Sequence, residues 1–350
     1  MVPNLRFLKF NQNYETLQLK NTLKIKSGKD QKQVEVENGI YNIYGTGGII
    51  GHTNTFLYDK ESVGIGRKGT IDKPVYFDQP FWTVDTLFYS EIYEGFIPKY
   101  IFYLFQTINW KKYNTSTGVP SLTSSSIENI EKSFPCYDEQ LKVANFLTMI
   151  DMRIETQIKI IDDYNSLKMG IYNWMFKENY ADYKLKQLAY IVKGDQINND
   201  QLLSNGSYYM MNGGTSPSGY LDSYNVSENT ISISEGGNSC GYVQFNSSPF
   251  WSGGHCYTIQ NVNSALIENK YLYHYLKHKE KEIMNLRIGT GLPNIQKKDL
   301  ENFTIFVPSL LIQRKNLALF EMLDEKICIL NEELERLEMQ KKYLLRNMFI

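Results

Sequence analysis

The side chains best suited to chemistry in this sequence lie in glycine-punctuated loops that come in pairs. Segments 44–52 and 212–220 occupy matching places in the two halves, the first carrying Tyr44, Thr46 and His52, the second Asn212, Thr215 and Ser216. Segments 64–69 and 234–241 form another pair, with Arg67 and Lys68 in one and Asn238 in the other; His255 follows further on. Glycine lets backbone amides approach a phosphate, while Asn, Ser, Thr, His and Arg can read base edges. The basic pairs Arg67-Lys68, Lys111-Lys112 and Lys297-Lys298 suit contacts to a phosphate backbone. Thr117 and Thr290 open two related turns; Arg287 precedes the second and Asn294 lies within it. These eighteen positions are the candidate DNA contacts. For the turns themselves, a purely structural role is the stronger expectation.

Enzymatic chemistry is not signalled. There is no G-x-x-x-x-G-K-[ST], no G-x-S-x-G and no H-E-x-x-H, and the Asn/Asp-Pro-Pro-aromatic motif of amino-group methyltransferases is missing. His274 and His278, four apart on a Tyr/Lys-rich helix, read as a surface pair, and no metal site is expected. Asp324-Glu325-Lys326 copies part of a nuclease motif but falls within a heptad pattern and reads as structural. Four scattered cysteines without a C-x-x-C pair give neither a disulfide framework nor a zinc site. The start of the chain lacks the apolar core of a signal peptide and the longest apolar run is about five residues, so a cytoplasmic chain with no membrane partner is expected. A formal charge of −1, from 37 Lys+Arg against 38 Asp+Glu, excludes a polycation and leaves local patches to do any nucleic-acid binding.

The elements that must position the loops are laid out by an internal repeat. Pro80-Phe81-Trp82 returns as Pro249-Phe250-Trp251, Lys99-Tyr100-Ile101-Phe102 as Lys270-Tyr271-Leu272-Tyr273, and Thr117-Gly118-Val119-Pro120-Ser121-Leu122 as Thr290-Gly291-Leu292-Pro293-Asn294-Ile295. From there the offset stays constant: Phe134-Pro135 with Val307-Pro308, Gln140 with Gln313, Ile150-Asp151 with Leu323-Asp324, Met175-Phe176 with Met348-Phe349. An offset that grows and then locks is the mark of a duplicated unit whose C-terminal part tolerates no insertion. A long helix has that property.

Apolar residues at Ile150, Ile154, Ile161 and Ile171 follow a heptad seam interrupted at Gln157 and Lys168; Leu323, Ile327, Leu330, Leu334, Leu337 and Leu344 follow a cleaner one interrupted at Lys341. Lys168 and Lys341 break the two seams in the same register. Such a polar position either fixes register and partner or is a solvated lysine at a frayed end. Asp138 and Ser309 are the expected N-caps. Some 38 residues give a rod of roughly 57 Å, and two such rods suit an antiparallel coiled coil under a pseudo-two-fold axis. The segments before each rod, rich in Gly, Ser, Asn and short β-like runs at 74–77, 82–89, 230–234 and 256–260, each with one amphipathic helix near 98–112 or 269–286, read as mixed α/β globules. The expected fold is therefore mixed α+β, globule and rod twice over: 1–137, 138–179, 180–308 and 309–350.

With these features the sequence resembles the specificity subunit of type I restriction–modification systems. The likeness rests on Pro3-Asn4-Leu5-Arg6-Phe7 with Tyr14-Glu15 and Leu17, the doubled T-G-[VL]-P-x-[LI] turns, the strand-proline-Gln approach to each helix, and the two rods. It implies two target recognition domains, each reading half of a bipartite double-stranded DNA sequence. It implies rods that set half-site separation and dock two copies of a methyltransferase subunit. It implies no catalysis and no cofactor on this chain, with S-adenosylmethionine, ATP and Mg2+ used by methyltransferase and restriction/translocase partners. The competing expectation is a scaffold that joins two identical protein partners without touching DNA; a carbohydrate-binding tandem is a remoter one.

Overall fold

A computed structural model describes residues 2–176, 180–289 and 291–350. In chain order, β1 (Glu15–Gln18) and β2 (Leu23–Ser27) lead to β3 (Glu35–Val36), β4 (Tyr41–Gly45), β5 (Gly48–Thr53) and β6 (Ser62–Gly66). Then come β7 (Val75–Phe77), β8 (Phe81–Thr83), β9 (Leu87–Ile92), α1 (Pro98–Thr107), α2 (Ser124–Glu128), β10 (Glu131–Phe134) and the 39-residue α3 (Tyr137–Met175). The second run holds β11 (Ala181–Lys184), α4 (Leu185–Leu188), β12 (Tyr190–Lys193), β13 (Tyr208–Met211), β14 (Gly219–Leu221) and β15 (Thr230–Ser234). It continues through β16 (Val243–Asn246), β17 (Trp251–Ser252), β18 (Cys256–Gln260), α5 (Asn269–His278), α6 (Glu280–Met284), α7 (Lys297–Glu301), β19 (Thr304–Val307) and the 39-residue α8 (Leu310–Met348).

The chain forms two compact units. Unit 1 runs to Lys159 and takes in Glu332–Ile350; unit 2 is Ile160–Asn331. Each long helix thus lends one end to each unit.

The repeat read from the sequence is a repeat of topology. Unit 1 has a four-stranded sheet in the order β2-β9-β6-β7, and unit 2 has β12-β18-β15-β16. Both antiparallel sheets are covered by the amphipathic helix of their own copy, α1 through Tyr100, Ile101, Leu104 and Phe105, α5 through Tyr271, Leu272, Tyr275 and Leu276. A second sheet in each unit, four-stranded in unit 1 and three-stranded in unit 2, contains one parallel pair, β4 with β8 (Ile43 opposite Trp82) and β13 with β17 (Met210 opposite Trp251). The Pro-Phe-Trp repeat marks that pair. Proline 98 begins α1 where its missing N–H costs nothing. The run expected at 82–89 is split into β8 and β9 by a turn closed by Leu87 N–H on the Val84 carbonyl, and the helix expected over 269–286 breaks at Lys279 into α5 and α6.

The helix seams are built within the units. In unit 1, Val143, Ala144, Leu147 and Ile150 of α3 join Leu344 and Met348 of α8 in one core, with Ile154 at its edge; Leu334 and Leu337 are half-buried. In unit 2, Ile161 is buried, Ile171, Tyr172 and Met175 of α3 meet Phe320 of α8, Leu323 and Leu330 are buried, and Ile327 is half-buried. Both interrupting lysines are paired. Lys341 Nζ lies 2.7 Å from Asp151 Oδ1 in unit 1, and Lys168 binds Asp324 in unit 2. Residues rise along α3 as they fall along α8 within each unit, so the packing is antiparallel, and the lysine of each copy meets the aspartate of the other. This is the register-fixing use of a polar seam position.

The Lys341–Asp151 pair is about four-fifths buried on both sides, and Asp151 also accepts from the Tyr103 hydroxyl at 2.7 Å. Asp151→Ala is expected to lower stability by about 2 kcal/mol, since it strands a largely buried ammonium. In chemical denaturation the double variant Asp151→Leu with Lys341→Met should lose less than the single one. Equal or greater loss in the double variant would show that the pair adds net stability of its own.

The entry to each long helix is tied by a glutamine. Gln140 Oε1 accepts from Ile97 N at 3.1 Å and its Nε2 donates to Pro135 O; Gln313 Oε1 accepts from Glu268 N at 2.8 Å and its Nε2 donates to Leu266 O and Pro308 O. Ile97 and Glu268 are the N-cap positions of α1 and α5, so one buried side chain fixes two helix starts in each copy. Ser309 precedes α8, but Asp138 does not cap α3. The helix begins one residue earlier, at Tyr137, and Cys136 O accepts the Glu139 and Gln140 amides. Glu139 is instead buried in unit 1, held by Arg6 Nε and Nη2 at 2.8 and 2.7 Å and by the Tyr14 hydroxyl.

Candidate nucleic-acid interface

Each unit gathers loops from distant parts of its chain at one edge. In unit 1 the turn 114–122 is pinned to the loop after β6: Leu122 N donates to Arg67 O and Gly69 N to Pro120 O, both at 2.9 Å. Asn114 Oδ1 closes the turn by accepting from Ser116 N and Ser121 N. In unit 2, Ile295 N donates to Glu235 O at 2.8 Å and Gly237 N to Pro293 O at 3.0 Å. Gly69 and Gly237 have φ of +86° and +76°, a region that side chains other than glycine rarely enter. The doubled T-G-[VL]-P turns are thus anchored through their proline carbonyls and their buried Leu122 and Ile295, leaving their tips outside.

On the unit 1 edge Arg67 is half-buried, its guanidinium donating to Asp85 O at 3.3 Å and standing over the Phe88 ring. Lys68 is exposed, and both line a cleft with Ser27, Ser121, Thr123 and Ser124. Thr117 is exposed on the neighbouring turn, and Thr46 Oγ1 would lie 4.0 Å from a Cβ on Gly69. Lys111 and Lys112 are exposed, Lys111 pairing with Asp72 at 3.2 Å. Two candidates stand apart. The Tyr44 ring packs on Phe77 at 4.9 Å and its hydroxyl accepts from Asn42, a core role. His52 is exposed on β5 opposite Asn42, within the second sheet.

On the unit 2 edge, Asn212 Oδ1 accepts the His255 amide at 2.9 Å, while Thr215 and Ser216 are exposed between β13 and β14. Asn238, Arg287 and Asn294 are exposed; Asn294 pairs through its backbone with Ile288. Lys297 lies 3.7 Å from Glu301, and Lys298 is exposed beside it. Thr290 lies outside the described residues.

One residue at this edge, Glu235, escapes a search for basic and amide side chains. It lies in the loop after β15, with a side chain only 10% exposed. Its Oε1 takes the Lys193 ammonium at 2.6 Å and the Tyr257 hydroxyl at 3.1 Å, and its Oε2 faces His255 Nδ1 at 3.6 Å. The signal that could have found Glu235 is the loop pairing itself, which sets it opposite Arg67.

His274 is not the surface residue that its Tyr/Lys-rich helix suggests. It is 4% exposed in unit 2, with its Nδ1 2.7 Å from the Tyr172 hydroxyl, and His278 is half-buried. Burial lowers the His274 pKa to about 4, opposed by the charge of Asp324; Lys168, Glu321 and Lys270 also face it. A base depressed in the folded state contributes stability in full above its unfolded value of about 6.5, and that stability is lost as pH falls from there toward 4. Unit 2 should therefore soften between pH 6.5 and 5, where few carboxylates titrate. Unit 1 carries Tyr103 at the matching position, and His274→Tyr should reduce that fall in thermal melts, the remainder coming from His278, which burial also holds below its ordinary value; an unchanged fall would assign it to other groups.

The thiols of Cys240 and Cys256 are shifted up by burial, Cys256 to about 11, away from nucleophilic use. Among the described residues no group of three or more His, Cys, Asp or Glu is placed to hold a metal ion, and no helix is long and apolar enough to cross a membrane.

The profile of the type I restriction modification DNA specificity domain matches twice, at residues 11–162 and 177–339. The chain belongs to this family. Among members of the type I DNA specificity family, a Mycoplasma pneumoniae protein provisionally named a type I specificity subunit is 34% identical over 158 residues, 45% of this chain and 42% of that protein. The specificity subunit of the type I restriction enzyme MjaIX of Methanocaldococcus jannaschii is 24% identical over 281 residues, 67% of this chain and 64% of that one. The chain thus matches less than half the length of its Mycoplasma pneumoniae relative and just under two thirds of the archaeal one. The fold of the S subunit of a type I restriction–modification system from M. genitalium superposes with a TM-score of 0.72 at 20% identity, covering 100% of this chain and 99% of that one. A chain from a structure of type I complex assembly gives 0.62 at 13% identity, covering 97% of each. The two matched domains each contain one of the loop edges described above.

Proposed function

We propose that this chain selects the DNA target of a type I restriction–modification complex. Unit-sized recognition domains, 1–137 and 180–308, each read one half of a bipartite sequence, and the helices of 138–179 and 309–350 set the half-site separation. The observation that carries this reading is the twofold match to a DNA specificity domain, supported by two loop edges that share a backbone and differ in side chains. Two domains reading one face of B-DNA would sit about one helical turn, about 34 Å, apart.

The chain performs no chemistry itself in this reading. Two methyltransferase subunits bring S-adenosylmethionine, restriction/translocase subunits bring ATP and Mg2+, and the assembly works on DNA in the cytoplasm. The net charge of −1 gives the isolated chain little phosphate neutralisation, so it binds DNA weakly and with its partners strongly. Methylation mapping of the host genome with the gene present and deleted tests the proposal. A bipartite motif methylated only when the gene is present is expected. An unchanged methylome contradicts it and favours a scaffold that never reads DNA.

A further inference from the structure

The backbone hydrogen bonds of the two edges put three positions of unit 1 in one-to-one correspondence with three of unit 2. Arg67 N donates to Thr86 O as Glu235 N donates to His255 O; Leu122 N meets Arg67 O as Ile295 N meets Glu235 O. Gly28 and Gly194, each following its sheet strand directly, donate to Leu87 O and Cys256 O. Arg67 thus stands where Glu235 does, Thr86 where His255 does, and Ser27 where Lys193 does. One scaffold carries a central cation with neutral hydroxyl neighbours in unit 1, and a central anion with two basic neighbours in unit 2.

We propose that Glu235 is a positioning residue that holds Lys193 and His255 as the DNA contacts of unit 2, His255 reading a base edge and Lys193 a phosphate. The proposal rests on the DNA-recognition reading and names the residues that carry it in this half. The fold does not require the acid, because unit 1 builds the same hydrogen-bonded edge around Arg67. Burying a carboxylate is costly unless its oxygens are satisfied, and here a hydroxyl and an ammonium take one oxygen while an imidazole faces the other. The acid is buried while the Lys193 and His255 side chains are 51% and 62% exposed.

His255 is held at its backbone by Asn212, and its ring faces Glu235 at 3.6 Å. Nδ1 is the nitrogen that faces the acid, which leaves Nε2 turned away from it. A base-reading group needs that kind of preset orientation. Lysine, a flexible point charge, suits a phosphate better than a base. The sign inversion between the edges also explains how a duplicated scaffold can read two different half-sites.

The test is methylation mapping and methylation kinetics of the complete complex, assembled with its methyltransferase subunits, for wild type and the variants His255→Ala, Glu235→Gln and Lys193→Ala. His255→Ala and Glu235→Gln should each make one position of one half-site degenerate, with discrimination there falling about tenfold, while the other half-site and the melting temperature stay unchanged. Lys193→Ala should weaken methylation at all sites alike and lower the salt slope by about one. If folded His255→Ala and Glu235→Gln complexes keep full discrimination at every position, the proposal is overturned; if Glu235→Gln unfolds, His255→Ala decides alone. A wild-type complex that methylates no bipartite motif would overturn the DNA-recognition reading, and this proposal with it.

Discussion

Inserting four residues into α3 between Asp151 and Lys168 alone should abolish methylation. Seventeen positions separate Asp151 from Lys168, and the same seventeen separate Asp324 from Lys341. Because Asp151 binds Lys341 in unit 1 and Lys168 binds Asp324 in unit 2, the two helices must be of equal length between their polar positions. Four extra residues add about 6 Å and turn the following seam by about 40°. One ion pair must then break, and the apolar positions beyond the insertion leave their partners, a stutter that a short antiparallel seam cannot absorb. A matching insertion between Asp324 and Lys341 should restore folding. In the proposed function it should also lengthen the spacer of the recognised sequence by about two base pairs, at about 3.4 Å each. A single insertion that methylates the original motif, or a double insertion with an unchanged spacer, would contradict helices that set the half-site separation.

Phe320→Ala should be the most damaging single truncation in unit 2. The ring is fully buried and packs on Tyr172 at 4.6 Å, His274 at 5.0 Å and Phe176 at 5.6 Å. These neighbours come from α3, from the segment just after it, and from α5, so the ring ties both long helices to the unit 2 core. Loss of the side chain costs about 3–5 kcal/mol, about 10 °C in the melting of a unit this size. Leu147, fully buried at the matching position of unit 1, supplies the comparison. In calorimetry, Phe320→Ala should lower the unit 2 transition and Leu147→Ala the unit 1 transition. A shift of less than about 2 °C in Phe320→Ala would mean that the seam contributes little to unit 2.

What the sequence makes legible here follows from where burial is decided. The seam could be read because helical spacing alone determines which of residues 150–175 and 320–348 share a stripe, and the two polar breaks at Lys168 and Lys341 kept the same register. The repeat could be read because rigid parts resist insertion. The binding edges were less legible. Tyr44 looked like a loop contact, but Phe77, some thirty residues on, captures its ring. His274 looked exposed because lysines surround it in sequence; Tyr172 and Phe320, each about fifty to one hundred residues away, cover it. Glu235 is hard to pick out because a carboxylate is an unfavourable neighbour for DNA until its two basic partners are seen beside it. Lys193 gave no signal at all, since nothing local distinguishes the last residue of one strand from any other surface lysine.

In the proposed function two modules each read half of one target. The direct measurement is methylation mapping of a complex in which residues 14–137 are replaced by the corresponding segment of another family member. One half of the recognised sequence should change while the other half and the spacer are retained. A change in both halves, or in neither, would contradict modular readout.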